Sequence, residues 1–209
     1  MSEVPGNILS DHPVIKDNLR VKAMRSIQAK VEHFFMEHGD EFERMKALAE
    51  AVSSAVEKSG RFVEHHTSVV CPECLSVCCV NRHSYLEAAD MICICALGGS
   101  PPLYKAEVGD EEPCQFLGEK GCILRRPLRP HRCNWYFCAP LLEDIQTVPP
   151  QAYRAFIAGL REINEKRETL LTIFCDVLKK AGYEPESPIN VLDEIYLRDN
   201  FFARRFDIL

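Results

Sequence analysis

The sequence predicts a mostly α fold, with helices packed around an irregular, cysteine-rich centre. Two observations predict it. Apolar residues recur at three- and four-residue steps towards both ends of the chain, and ten of the 11 cysteines fall between Cys71 and Cys138, in a stretch punctuated by prolines. A third observation sets the scale. With 209 residues and 46% hydrophobic content, the chain can bury a core without disulfide help. One compact domain is expected, with an N-terminal helical segment over 1–64, a cysteine-cluster region over 65–140 and a C-terminal helical segment over 141–209.

The elements follow in order. Met24, Ile27, Val31 and Phe34 share one helical face, and Gly39 interrupts the pattern. Phe42, Met45, Ala49, Val52 and Val56 resume it until Ser59-Gly60, where a stop is expected. Ser84 and Glu87 have the spacing of a capping box and predict a helix starting at Ser84. Leu86, Met91, Ile92 and Leu97 follow, and Gly98-Gly99 with Pro101-Pro102 end it. The last stripe runs Tyr153, Phe156, Ile157, Leu160, Ile163, Leu170, Leu171, Phe174 and Leu178, with Gly182 placed to cap it. Pro185 and Pro188 then set off a terminal segment, 190–209, that mixes Phe201, Phe202 and Phe206 with Arg198, Arg204 and Arg205.

Charge and hydropathy narrow the function classes. A formal net charge of −6 argues against nucleic acid or an anionic membrane as partner. No apolar run approaches the roughly 20 residues that span a bilayer. The start, MSEVPGNILSDHPV, has no basic segment followed by an apolar one, so a cytoplasmic location is expected. A reducing cytosol disfavours stable disulfides, and an odd cysteine total leaves one thiol unpaired in any case. Metal ligation is the remaining use that rewards so many thiols in so short a window.

Eight cysteines form the candidate ligand set. The first cluster, CPECLSVCC, holds Cys71, Cys74, Cys78 and Cys79; its C-x2-C pair lets two thiolates in one turn reach a single metal. The second, CQFLGEKGCILRRPLRPHRCNWYFC, holds Cys114, Cys122, Cys133 and Cys138. Side chains of adjacent residues diverge, so Cys78 and Cys79 either serve two neighbouring centres or one of them is spare. Each four-thiolate zinc or oxidised four-iron site carries about −2, a charge that is costly to bury alone. Arg125, Arg126, Arg129 and Arg132, between two of the ligands, can offset it by donating N–H bonds to sulfur.

This order of residues resembles the YkgJ-type, or CxxCxxCC, cysteine-cluster family, described as zinc- or iron-chelating and often labelled iron–sulfur proteins. The matching elements are the first cluster, Cys114-Gln-Phe-Leu117, Gly121-Cys122-Ile123, Arg129-Pro130-His-Arg-Cys133 and the closing Cys138. Asp90 occupies the place of the family's aspartate in the intervening helix. Two departures stand out: the first cluster reads C-x2-C-x3-C-C, and Asn134 replaces the usual arginine after Cys133. The resemblance covers residues 71–138 and implies a metal centre, saying little about the helical flanks.

The remaining candidates read as structural. Cys93 and Cys95, at i and i+2 of a helix, and Cys175 beside the last stripe suit core packing. His65, His66 and His83 flank the first cluster, but eight thiols suffice, so they are expected at the surface or behind the ligands. His131 lies between two ligands, close enough to hydrogen-bond a sulfur, but a structural role is favoured for it as well. Trp135 and Tyr136 are expected to wall the site from water. No phosphate loop, nucleophile elbow or zinc-hydrolase motif is present.

The expected function is an iron–sulfur protein in redox or electron transfer, with an unidentified redox or protein partner. A 4Fe-4S cluster is favoured over Zn2+, because the second cluster spaces its thiols at 7, 10 and 4 intervening residues, whereas zinc favours paired knuckles. A structural zinc module serving protein interaction is the alternative. A cluster-assisted group-transfer enzyme, resembling the flagellin lysine methylases with their similar cysteine pattern, comes third.

Overall fold

In the computed structural model, which describes residues 13–74, 77–119 and 121–182, the chain is mostly helical. The described helices are α1 (Pro13–Glu37), α2 (Gly39–Val70), α3 (Ala88–Ala96), α4 (Arg132–Trp135), α5 (Ala139–Gln146) and α6 (Pro150–Lys180). Strands β1 (Leu117–Gly118) and β2 (Gly121–Cys122) pair antiparallel, Leu117 opposite Cys122. None of the described helices is long and apolar enough to cross a membrane. The terminal segment 190–209, with its phenylalanines and arginines, lies outside the described residues, as does most of the start.

The apolar stripes do what their spacing predicts. Met24, Ile27, Val31 and Phe34 of α1, Met45, Ala49, Val52 and Val56 of α2, and Phe156, Leu160, Ile163, Leu170, Leu171, Phe174 and Leu178 of α6 are buried in one continuous core. Fully burying a side chain such as Phe174, Met45 or Leu170 contributes about 1.5–3 kcal/mol each. The short α3, apolar on nearly every side, lies within this core against α1 and α2. The α2–α6 pair makes the most extensive helix contact. They approach closely where Gly159 passes Ser59: a Cβ at 159 would stand 2.5 Å from the Ser59 hydroxyl oxygen.

Two boundaries differ from the sequence expectation. Helix α2 does not stop at Gly60 but continues for ten residues to Val70. The glycine is there for space, since a Cβ would meet Arg126 Cγ at 2.9 Å. An interior glycine costs a helix about 1 kcal/mol relative to alanine, a cost that an otherwise well-packed helix absorbs. The second difference is the start of α3, at Ala88 rather than Ser84. The capping box is made by Glu87 as N-cap and Asp90 as the third helical residue. Ser84 instead closes a 3-10 turn (Asn81–His83) and donates its hydroxyl to Asn81 Oδ1 at 3.0 Å. The C-terminal ends follow the glycine rule. Gly98 (φ 69°) donates to Cys95 O, and Gly99 donates to Ile94 O, closing α3. Gly182 (φ 80°) plays the same part after α6.

Candidate functional site

The eight candidate cysteines hang from the ends of these elements. Helix α2 runs into a 3-10 turn (Cys71–Glu73), and Cys74 N–H closes the turn on Cys71 O at 3.2 Å. Pro72 at the start of that turn presets its φ. Cys78 and Cys79 then lead into Val80, which forms an isolated antiparallel bridge with Pro113. The bridge brings Cys114 N–H to Cys79 O at 2.8 Å. Cys114 O in turn accepts Leu117 N–H at 2.8 Å, starting the hairpin that carries Cys122. Cys133 lies in α4, and Cys138 is the N-cap of α5.

A polar scaffold holds this loop region. Asn81 is fully buried. Its Nδ2 donates to Val108 O at 2.9 Å, its Oδ1 accepts from Ser84 and from Gln115 Nε2 at 2.9 Å, and its N–H donates to Glu112 O. One residue thus ties the segment after Cys79 to the segments before and after Cys114. A second anchor is Arg167 of α6, itself buried, which donates to Glu87 Oε2 at 3.0 Å and Asp90 Oδ1 at 3.3 Å. Asp90 Oδ2 accepts the N–H groups of Glu87 and His131. The carboxylate therefore joins α3, α6 and the turn before Cys133.

All 11 cysteines are free thiols. Burial is the first cause that lifts Cys133 to about 12, and the charges of Cys122 and Cys114 add to it. Burial also lifts Cys114, with Cys122 contributing. Cys71 is raised by burial and by the charges of Cys78, Cys138 and Cys74. Cys78 is raised mainly by donating its thiol hydrogen bond to Cys79, and Cys79 is lowered by accepting it. Burial and neighbouring thiols thus hold Cys71, Cys114 and Cys133 above the ordinary thiol value, whereas Cys79 is favoured as thiolate by the bond it accepts. Among the described residues, however, no three His, Cys, Asp or Glu side chains converge within reach of a single metal ion. The thiols are gathered into one region but not drawn into a closed coordination sphere.

The arginines act differently from the expectation. Arg126, buried, donates to Glu64 Oε1 (3.4 Å), Cys133 O (3.2 Å) and Asn134 Oδ1 (3.4 Å). Arg129 donates to Leu124 O at 2.9 Å and Glu64 Oε1 at 3.3 Å. These bonds go to carbonyl, amide and carboxylate oxygen rather than to sulfur, because the α2 carboxylate Glu64 lies alongside. Asn134, the departure from the family pattern, is the partner that Arg126 uses. Arg125 is largely in solvent, 4.0 Å from Glu57, and Arg132 lies over the Tyr136 ring. The Arg129 charge still reaches the Cys133 thiol at longer range and favours its ionised form.

The histidines are taken up elsewhere. His66 is buried and pairs through Nδ1 with Asp144 Oδ2 of α5 at 2.5 Å, while its ring packs against Phe62. His131 bonds Asn164 of α6, and burial holds its ring neutral, with a pKa lowered to about 4. His83 lies beside Tyr136, and its main-chain carbonyl accepts the Cys133 thiol at 3.9 Å. Tyr136 is 39% exposed, so it is a partial wall at most. Cys95 and Cys175 are buried in the helical core, and Cys93 packs against it.

Fold and site together define a class: an all-α protein with a thiol-rich loop site suspended between helix ends. No family model matches the chain, and neither a curated protein nor a solved structure matches it.

Proposed function

We propose that the chain is a metal-binding protein whose ligands are Cys71, Cys74, Cys78, Cys79, Cys114, Cys122, Cys133 and Cys138, of the YkgJ-type kind that its cysteine order resembles. An iron–sulfur cluster in redox or electron-transfer work is the favoured cofactor. One observation carries the reading: eight free thiols, remote in sequence, are brought into one loop region, where burial and neighbouring thiols raise Cys71, Cys114 and Cys133. Such a collection of prospective thiolates becomes favourable when a cation is present to ligate them. The donor chemistry fits a cluster or zinc, and the loops would have to close further to complete the coordination.

When bound, a cluster would supply one-electron transfer. The chain's own part is positional. Asn81 holds the Cys79 and Cys114 backbones together, and Arg126 fixes the turn that leads to Cys133. The second reading, a structural zinc module, draws on the compact Cys71–Cys74 turn, whose geometry suits a knuckle.

Anaerobic purification with metal and acid-labile sulfide analysis tests both. Iron with equimolar sulfide and a broad visible absorption supports the cluster. Zinc without colour supports the structural module, and a metal-free chain sinks both.

A further inference from the structure

We propose that the eight thiols divide into two four-sulfur sites meeting at the Cys78–Cys79 peptide: Cys71, Cys74, Cys78 and Cys138 in one, Cys79, Cys114, Cys122 and Cys133 in the other. This rests on the metal-binding reading above and adds what that reading leaves open, the number of centres and their ligands.

The second set is stitched by backbone. Cys79 and Cys114 share the 2.8 Å hydrogen bond beside the Val80–Pro113 bridge. Cys114 opens the hairpin in which Cys122 faces Leu117. Cys133 reaches the same place through its thiol contact with His83 O, and His83 N–H in turn bonds Val80 O at 3.0 Å. Three separate loops therefore converge just after Cys79.

The first set gathers at the C-terminal end of α2. Cys71 and Cys74 bound one 3-10 turn. Cys138 caps α5, which packs on α2. Cys78 accepts a thiol hydrogen bond from Cys138.

Proximity follows the same division: Cys71 lies near Cys78, Cys138 and Cys74, and Cys133 lies near Cys122 and Cys114. The sets also touch, through the Cys78–Cys79 thiol bond and through the charge of Cys71 on Cys79. Both contacts run through the shared peptide. The two sulfurs touch across that peptide here, so loading two centres requires them to turn apart, one to each side.

The experiment is a thiol footprint of the metal-loaded wild-type chain. A chelator is added stepwise, and exposed thiols are alkylated and located by mass spectrometry. Two sets of four, each labelled as a unit at its own chelator concentration, or at the same one but with half-metallated molecules labelled in one set only, support the division. Molecules labelled on a mixture drawn from both sets overturn it. Metal content then gives a second measure. Cys74→Ser and Cys138→Ser should each lose one site's share, the pair together no more than either alone, and Cys74→Ser/Cys122→Ser all of it. Complete loss in every single variant, with a mixed footprint in the wild type, overturns the division while leaving the metal-binding reading intact. A wild-type chain without metal overturns both.

Discussion

Cys93 and Cys95 carry the same thiol as the loop cysteines, but their surroundings give it different chemistry. Both lie on α3, where burial pushes each up to about 12 from 9.0. At a given pH that leaves on the order of a thousandth of the ordinary thiolate, and only thiolate attacks an alkylating agent. In the native chain at pH 8 both should label far more slowly than in urea, a ratio mass spectrometry reads directly; equal rates in the two states would contradict their burial. The linkage has a definite sign. A thiol raised in the folded state keeps its proton while the unfolded chain loses one, so its contribution to stability is intact below pH 9 and falls as pH rises towards 12. Urea midpoints should therefore decline above pH 9, less steeply in Cys93→Ala/Cys95→Ala. Asn81 is the other residue whose surroundings decide its role. Replacing it with leucine keeps much of the volume but leaves the Val108 carbonyl, the Ser84 hydroxyl and the Gln115 amide without their partner. The Ser84 hydroxyl, the buried one of the three, costs about 1–3 kcal/mol when so orphaned, and the half-buried Val108 and Gln115 groups cost less. Asn81→Leu should lower the urea midpoint markedly, and an unchanged midpoint would show that the loop is held by something else.

Among the elements, α6 is tied to α3 by more than apolar contact. Arg167 sits four residues after Ile163 and three before Leu170, so it falls on the buried face and meets Glu87 and Asp90 there. Breaking a buried pair by removing one partner costs about 3–5 kcal/mol, because the other charge is left desolvated. Arg167→Met should therefore destabilise the chain by that order in chemical denaturation. Adding Asp90→Asn should recover part of the loss, and a purely additive double variant would deny the coupling. The stripes of α1, α2 and α6 were legible in the sequence because a 3.6-residue period reports one buried face. Arg167 is legible too, as a charge interrupting the apolar stripe between Ile163 and Leu170. Gly60 was misread because a glycine that ends a helix and one that makes room for a neighbour look alike in sequence; only Arg126, 66 positions on, tells them apart. Ser84 misled for a similar reason. Serine followed by glutamate at three residues fits a capping box, yet the Asn81 carboxamide competes for the serine hydroxyl. The cysteine spacing pointed to a ligand set but not to its grouping, because the bridge between Val80 and Pro113 is a contact between loops with no local periodicity.

At the scale of the whole molecule, two kinds of cohesion meet. The helices share a core of apolar side chains from α1, α2, α3, α5 and α6, to which the candidate ligands add only the partly buried edge of Cys138. The loops between α2 and α3 and between α3 and α4 have little apolar burial of their own; among their described residues Leu86 and Phe116 are the deeply buried large apolar ones, and their order rests on Asn81, the Asp90 carboxylate and the short hairpin. Metal held by the eight thiols, four to each site, would add its binding free energy to the loops first, since it is their backbones that it cross-links. Removing it should therefore loosen the loops while the helices persist, a partial opening of the kind expected where stability is unevenly distributed. Chelation under reducing conditions, followed by brief trypsin digestion, separates the two. Cleavage should rise at the exposed loop sites Arg82, Lys105 and Arg125, while Lys46 in α2 and Lys166 in α6 stay resistant and the far-UV circular dichroism barely changes. Uniform cleavage with loss of helical signal would mean that the metal holds the entire fold, and that the helical core is not sufficient by itself.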